Sequence, residues 1–92
     1  MVLNGHEHLC ERFDPQTPDA GSDPARGIRA FLVGTGGVGF YSFQPAPQPN
    51  SAARDPATFG VLELTLKPDS YDWEFLPVVP STFTDKGSGP CH

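Results

Sequence analysis

Leu62-Glu63-Leu64-Thr65-Leu66-Lys67-Pro68-Asp69-Ser70-Tyr71-Asp72-Trp73-Glu74-Phe75 reads as two strands and the turn between them. Leucine fills every second position of the first half and an aromatic every second position of the last, the period of a half-buried strand. Lys67 to Ser70, with Pro68 and Asp69 at its centre, has the chemistry of a turn. Pairing Leu66 with Tyr71 sets Leu64 opposite Trp73 and Leu62 opposite Phe75, so one side becomes a continuous leucine and aromatic surface that must be buried. The same register opposes Glu63 and Glu74 on the other side, a like-charge pair that costs a few tenths of a kcal/mol unless solvent screens it. The hairpin reads as structural.

Outward from it, Ile28 to Val33 is a mostly apolar run bounded by Gly27 and Gly34, which fits a strand covered on both faces. Asp14 to Pro24 is a proline and aspartate-rich excursion, and Gln44 to Pro56, with Pro45, Pro47, Pro49 and Pro56, is expected to be too irregular to pair. Gly34-Thr35-Gly36-Gly37-Val38-Gly39 lacks the lysine of a phosphate loop and is followed by no amphipathic helix, so it predicts a tight turn at a strand end. The expectation is a mainly β chain of antiparallel strands, a C-terminal hairpin and long Pro/Gly-rich loops.

A chain of 92 residues is at most one domain and buries only a little over about 60% of its unfolded surface. Eleven prolines and ten glycines shrink the share available to a core. The net charge of −5, with the acids spread along the chain, argues against nucleic acid or an anionic membrane as partner. No run has the length of a transmembrane helix, and no signal peptide opens the sequence.

Near the start, Asn4-Gly5-His6-Glu7-His8 follows the apolar run Met1-Val2-Leu3. On an extended backbone His6 and His8 leave the same face with Cα atoms roughly 6.5 Å apart. That suits two metal ions about 3.5 to 4 Å from each other, one imidazole reaching each. Glu7 then points the other way. Cys10 and Cys91 are the only cysteines. They bridge each other, or Cys10 is a buried thiol and Cys91 pairs outside this chain; a bridge needs Cα atoms within about 7 Å.

Gly5-His6-Glu7-His8-Leu9-Cys10-Glu11-Arg12 resembles the last metal-binding motif, G-H-x-H-x-Y-E-R, of the calcineurin-like metallophosphoesterases, in particular their purple acid phosphatase-like, secreted bacterial branch. Cys10 stands where that pattern has tyrosine. Gly27 to Gly37, Thr58 to Leu62 and Tyr71 to Phe75 are similar to the stretch that follows the motif there. The earlier motifs D-x-H, G-D-x-x and G-N-H-E are absent. The resemblance therefore implies that residues 1–92 are the C-terminal part of an α/β, αββα sandwich, a single and incomplete catalytic domain. It further implies an extracellular or periplasmic setting, a phosphate-ester substrate and a centre of two ions of iron, zinc or manganese, with His6 on one ion and His8 on the other. Glu11 and Arg12 are expected to hold the histidine segment in place, and Gly36 and Gly37 to line the cleft. With the other ligands missing, the chain alone is expected to be inactive, to bind metal weakly, and to self-associate through exposed strand edges. The reading from a different class is a small non-catalytic β module that binds a partner through the apolar hairpin face.

Overall fold

A computed structural model describes residues 1–42 and 46–92 as seven strands. These are β1 (Val2–Asn4), β2 (Cys10–Gln16), β3 (Ile28–Val33), β4 (Ser51–Asp55), β5 (Gly60–Leu66), β6 (Ser70–Pro77) and β7 (Lys86–Pro90). The described residues are all-β with no helix among them, and so none long and apolar enough to cross a membrane. Two sheets form, a four-stranded one in the order β1-β3-β2-β4 and a three-stranded one in the order β5-β6-β7.

The hairpin folds in the expected register, with Leu66 paired to Tyr71, Leu64 to Trp73, Leu62 to Phe75 and Glu63 to Glu74. Its two strands differ in burial, however. Tyr71, Trp73 and Phe75 on the central strand β6 are buried, while Leu62 and Leu64 on the edge strand β5 are half-buried and Leu66 is exposed. A strand also forms at 28–33, in the interior of its sheet, but it is not covered on both faces: only Phe31 is buried and Ile28 is exposed.

Three expectations need correction. The strands are not all antiparallel: β2 reverses the chain, and β3 reverses it again and slots between β1 and β2, so β1 and β3 run parallel. The stretch from Gln44 to Pro56 is not irregular throughout, because its proline-free segment Ser51–Asp55 pairs with β2. Phe43, Gln44 and Pro45 lie outside the described residues. The first excursion is likewise shorter than its composition suggests. Asp14, Pro15 and Gln16 stay in β2 because the register against β3 shifts between Phe13 and Gln16, a bulge that absorbs a residue with no N–H to give.

The two sheets face each other around Phe31, Tyr71 and Trp73, with Val33, Leu62 and Leu64 packed against them. Phe31 of β3 meets Trp73 of β6 edge-on, ring centroids 5.5 Å apart, a favoured aromatic geometry. Strand β7, Lys-Gly-Ser-Gly-Pro, leaves room for that core: a Cβ on Gly87 would come within 2.6 Å of the Trp73 ring. At one end the sheets are clipped together by the buried Thr35, whose hydroxyl donates to the Gly60 carbonyl at 2.7 Å while the Gly60 N–H donates back to Thr35 at 3.3 Å.

The flank under β2 and β7 is held by charge. Arg12 Nε donates to both carboxylate oxygens of Asp85 at 2.9 and 3.1 Å, and a second guanidinium nitrogen reaches Oδ1 at 3.0 Å. The side chains are 14% and 8% exposed. The guanidinium carbons of Arg12 and Arg29 lie 5.2 and 4.7 Å from the centroid of the Trp73 ring, and both arginines also reach Asp14.

Candidate functional site

His6 and His8 do not lie on a strand. Residues 6–9 bend away at the carboxyl end of β1, and His6 sits at φ 80°, a left-handed backbone that the extended reading had no place for. The Leu9 N–H donates to the Glu7 carbonyl at 2.9 Å, closing a three-residue turn around His8. Strict alternation of the two imidazoles is therefore lost.

What shapes this loop comes from the end of β3. The Gly34 N–H donates to Leu9 at 3.0 Å, and the Tyr41 N–H donates to His8 at 3.3 Å. Gly34 is where the backbones come closest: a Cβ built there would overlap the Glu7 carbonyl oxygen at 1.9 Å, so only glycine lets the loop lie down. The glycine-rich stretch thus works as a support for the histidine loop. Gly37 takes φ 125°, and Gly36 borders a groove shared with Leu3, Asn4 and Gly5.

His8 is the better defined of the pair. Its ring stacks on Tyr41, centroids 4.3 Å apart and planes 11° from parallel. Its Nδ1 lies 2.7 Å from the Gly39 carbonyl oxygen, which can only accept, so Nδ1 is the donor, and in the neutral ring Nε2 is the nitrogen with the lone pair. A backbone carbonyl that fixes the tautomer from behind is the usual support of a metal-binding imidazole. His6 is exposed. Among the described residues no group of three or more His, Cys, Asp or Glu gathers there or elsewhere to hold an ion. The donor set fits one oriented imidazole and a second, exposed one; it is incomplete as a metal centre.

Glu11 and Arg12 fasten the strand into which the loop runs. The buried Glu11 accepts from the Ser51 hydroxyl at 2.5 Å, tying β2 to β4, and Arg12 is spent on Asp85 and Asp14. The two cysteines are free thiols, which removes the intrachain bridge. Cys10 pairs with Val33 at one end of β3, whereas Cys91 borders a pocket with Gly27 and Ile28 at the other, and a six-residue strand separates the two ends by roughly 16 Å. Burial, with Asp85 and Asp55 adding to it, pushes the Cys10 thiol up to about 12.

Sequence reasoning missed Tyr41 as the stacking partner of His8 and Asp85 as the partner of Arg12. Neither has a local signal, since 33 and 73 positions separate the members of the two pairs. Comparison with protein-family models, with curated proteins and with solved structures returns no match for this chain.

Proposed function

We propose that this chain contributes the His6 and His8 loop to a two-metal phosphoesterase centre whose other ligands lie outside these 92 residues. The observation that supports it is His8: an imidazole with Nδ1 committed to Gly39, which leaves Nε2 as the nitrogen available to a ligand, in a loop at the carboxyl ends of the parallel strands β1 and β3. Ligands commonly collect at the carboxyl ends of parallel strands. The likeness of Gly5 to Arg12 to the phosphoesterase motif supplies the reaction class, hydrolysis of a phosphate ester in a secreted protein. The ions, when bound, supply a hydroxide and neutralise phosphate oxygens. This chain's own part is to aim His8 by the Gly39 bond and the Tyr41 stack, and to hold the loop on Gly34. Partner binding through the hairpin face has less support, because Tyr71 and Trp73 are spent against the other sheet and Phe75 is buried against Phe83.

Calorimetric titration of the purified chain with zinc or cobalt is expected to show weak binding that falls in His8→Ala and in His6→Ala. Binding unchanged in the double variant would refute the assignment. No turnover of p-nitrophenyl phosphate is expected from the chain alone with zinc, manganese or iron. Turnover lost on His8→Ala would overturn the claim that ligands are missing.

A further inference from the structure

The chain has two asparagines, and the fold treats them oppositely. Asn50 is held: its side-chain nitrogen donates to the Gln16 side chain at 2.8 Å and to the Ala20 carbonyl at 2.9 Å, and Ser51 follows it at the start of β4. Asn4 is loose. It is exposed, its side chain makes no hydrogen bond among the described residues, and the residue after it is a glycine.

Asn4 is the last residue of β1, paired with Leu32, and Gly5 is the first residue beyond the ladder. The Gly5 N–H donates to no carbonyl among the described residues. Gly5 is itself exposed, and a Cβ built on it would have no heavy atom within 4 Å. From His6 onward the chain turns away, with φ 80° at that residue. The Asn4 amide and the nitrogen that follows it are therefore both unengaged, in open space.

These are the conditions under which an asparagine reacts with its own backbone. The Gly5 nitrogen attacks Asn4 Cγ; a C–N bond forms, the Cγ–Nδ2 bond breaks, and ammonia leaves with the proton of the Gly5 N–H. The cyclic imide so formed takes up one water at either of its two carbonyls. Opening at one gives aspartate, and opening at the other gives isoaspartate, in which the main chain runs through the former side chain. On balance one amide and one water become one carboxylate and one ammonium, with no oxidant or cofactor. A side chain at position 5 would crowd the ring closure, and an N–H bonded into a ladder would resist it; Gly5 presents neither obstacle.

We propose that Asn4-Gly5 is a self-modification site, at which the folded chain converts Asn4 to aspartate and isoaspartate while Asn50 persists. The consequence falls on the histidine loop. Each conversion adds one negative charge two residues before His6, at the rim of a groove that no charged side chain among the described residues lines. The isoaspartyl form also lengthens the backbone between β1 and the loop. The inference rests on residues 4 and 5 alone and stands whether or not His6 and His8 meet a metal.

Peptide mapping of the purified full chain, incubated in neutral buffer at physiological temperature and sampled over days, tests it. Progressive loss of Asn4 is expected, with isoaspartate, which direct hydrolysis cannot give, among the products and with Asn50 intact. Gly5→Ala fits the open space at that position and is expected to slow the conversion about tenfold or more by crowding the ring. In guanidinium Asn50 is expected to react faster than in the folded chain, since its hydrogen bonds are gone, while Asn4 changes by less than about threefold, because its site is open before unfolding. Asn4 intact in the folded chain but converted in guanidinium, aspartate without isoaspartate, or equal loss at both asparagines of the folded chain would each overturn the proposal. The comparison of the folded with the unfolded native chain decides the matter even where the variant fails to fold.

Discussion

The two flanks of this sandwich are closed by opposite means. Under β2 and β7 a buried guanidinium and carboxylate, Arg12 and Asp85, span the sheets beside Trp73. Toward β1 and β5 no ion pair among the described residues spans them; only the Thr35 and Gly60 clip does, at the start of β5, and leucine and valine side chains face a groove. The charged flank is rigid in chemistry, since removing one partner strands the other in a dry site. The apolar flank is permissive, because its side chains are half in water before anything changes. Stability should therefore be concentrated on one side and exposure on the other.

Breaking the clamp is the sharpest way to test this contrast. Asp85→Ala leaves Arg12 buried with only the exposed Asp14 as counter-charge and is expected to cost about 3–5 kcal/mol, read from the urea midpoint. The double change Arg12→Met with Asp85→Leu should recover most of that loss. A midpoint moved by less than about 1 kcal/mol in Asp85→Ala would remove the distinction between the flanks.

At the end where the sheets are clipped, Thr35→Ala removes a buried hydroxyl and leaves the Gly60 carbonyl short of a donor, an expected loss of about 1–3 kcal/mol. Thr35→Ser keeps the hydroxyl and should lose less.

The buried thiol of Cys10 gives a pH signature on the closed side. Its ordinary value is 9.0 and folding raises it to about 12, so between those values the unfolded chain has released a proton that the folded chain retains. Stability from this group is intact below pH 9.0 and falls as pH climbs toward 12, by up to about 1.4 kcal/mol per unit. Unfolding measured along this range in the native chain and in Cys10→Ala should show the fall only in the former. Iodoacetamide at mildly alkaline pH should label Cys91 and spare Cys10 until the chain unfolds.

The smallest effect belongs to the open side. Leu66→Ser alters a residue that is 69% exposed and should shift stability by no more than about 0.5 kcal/mol. A loss comparable to that of Thr35→Ala would mean that the exposed end of β5 already carries the fold.

Legibility in the sequence followed the range of the interaction. The hairpin from Leu62 to Phe75 was readable to the residue, because alternation and a four-residue turn specify register within one short segment. Ile28 to Val33 was readable from its apolar run, but its parallel pairing with β1 was not, since that depends on how β2 reverses the chain. Proline density hid β4, where five proline-free residues sat inside a stretch that looked unable to pair. At the candidate site the histidines were visible and their backbone was not. The bend at His6 depends on Gly34, and the orientation of His8 on Gly39 and Tyr41, contacts that join positions some thirty residues apart.

Trp73 is the only tryptophan, and the guanidinium groups of Arg12 and Arg29 both lie against its ring at the closed flank. Its fluorescence is consequently a local gauge: it reports whether β6 still packs against β2, β3 and β5, and it is nearly blind to β1. A chain whose β1 has peeled away would keep a native emission spectrum. Fraying there has to be followed by a second probe, such as a nitroxide or fluorophore attached at position 3, and a gap between the two denaturation curves would show the sandwich opening from one side like a hinged cover.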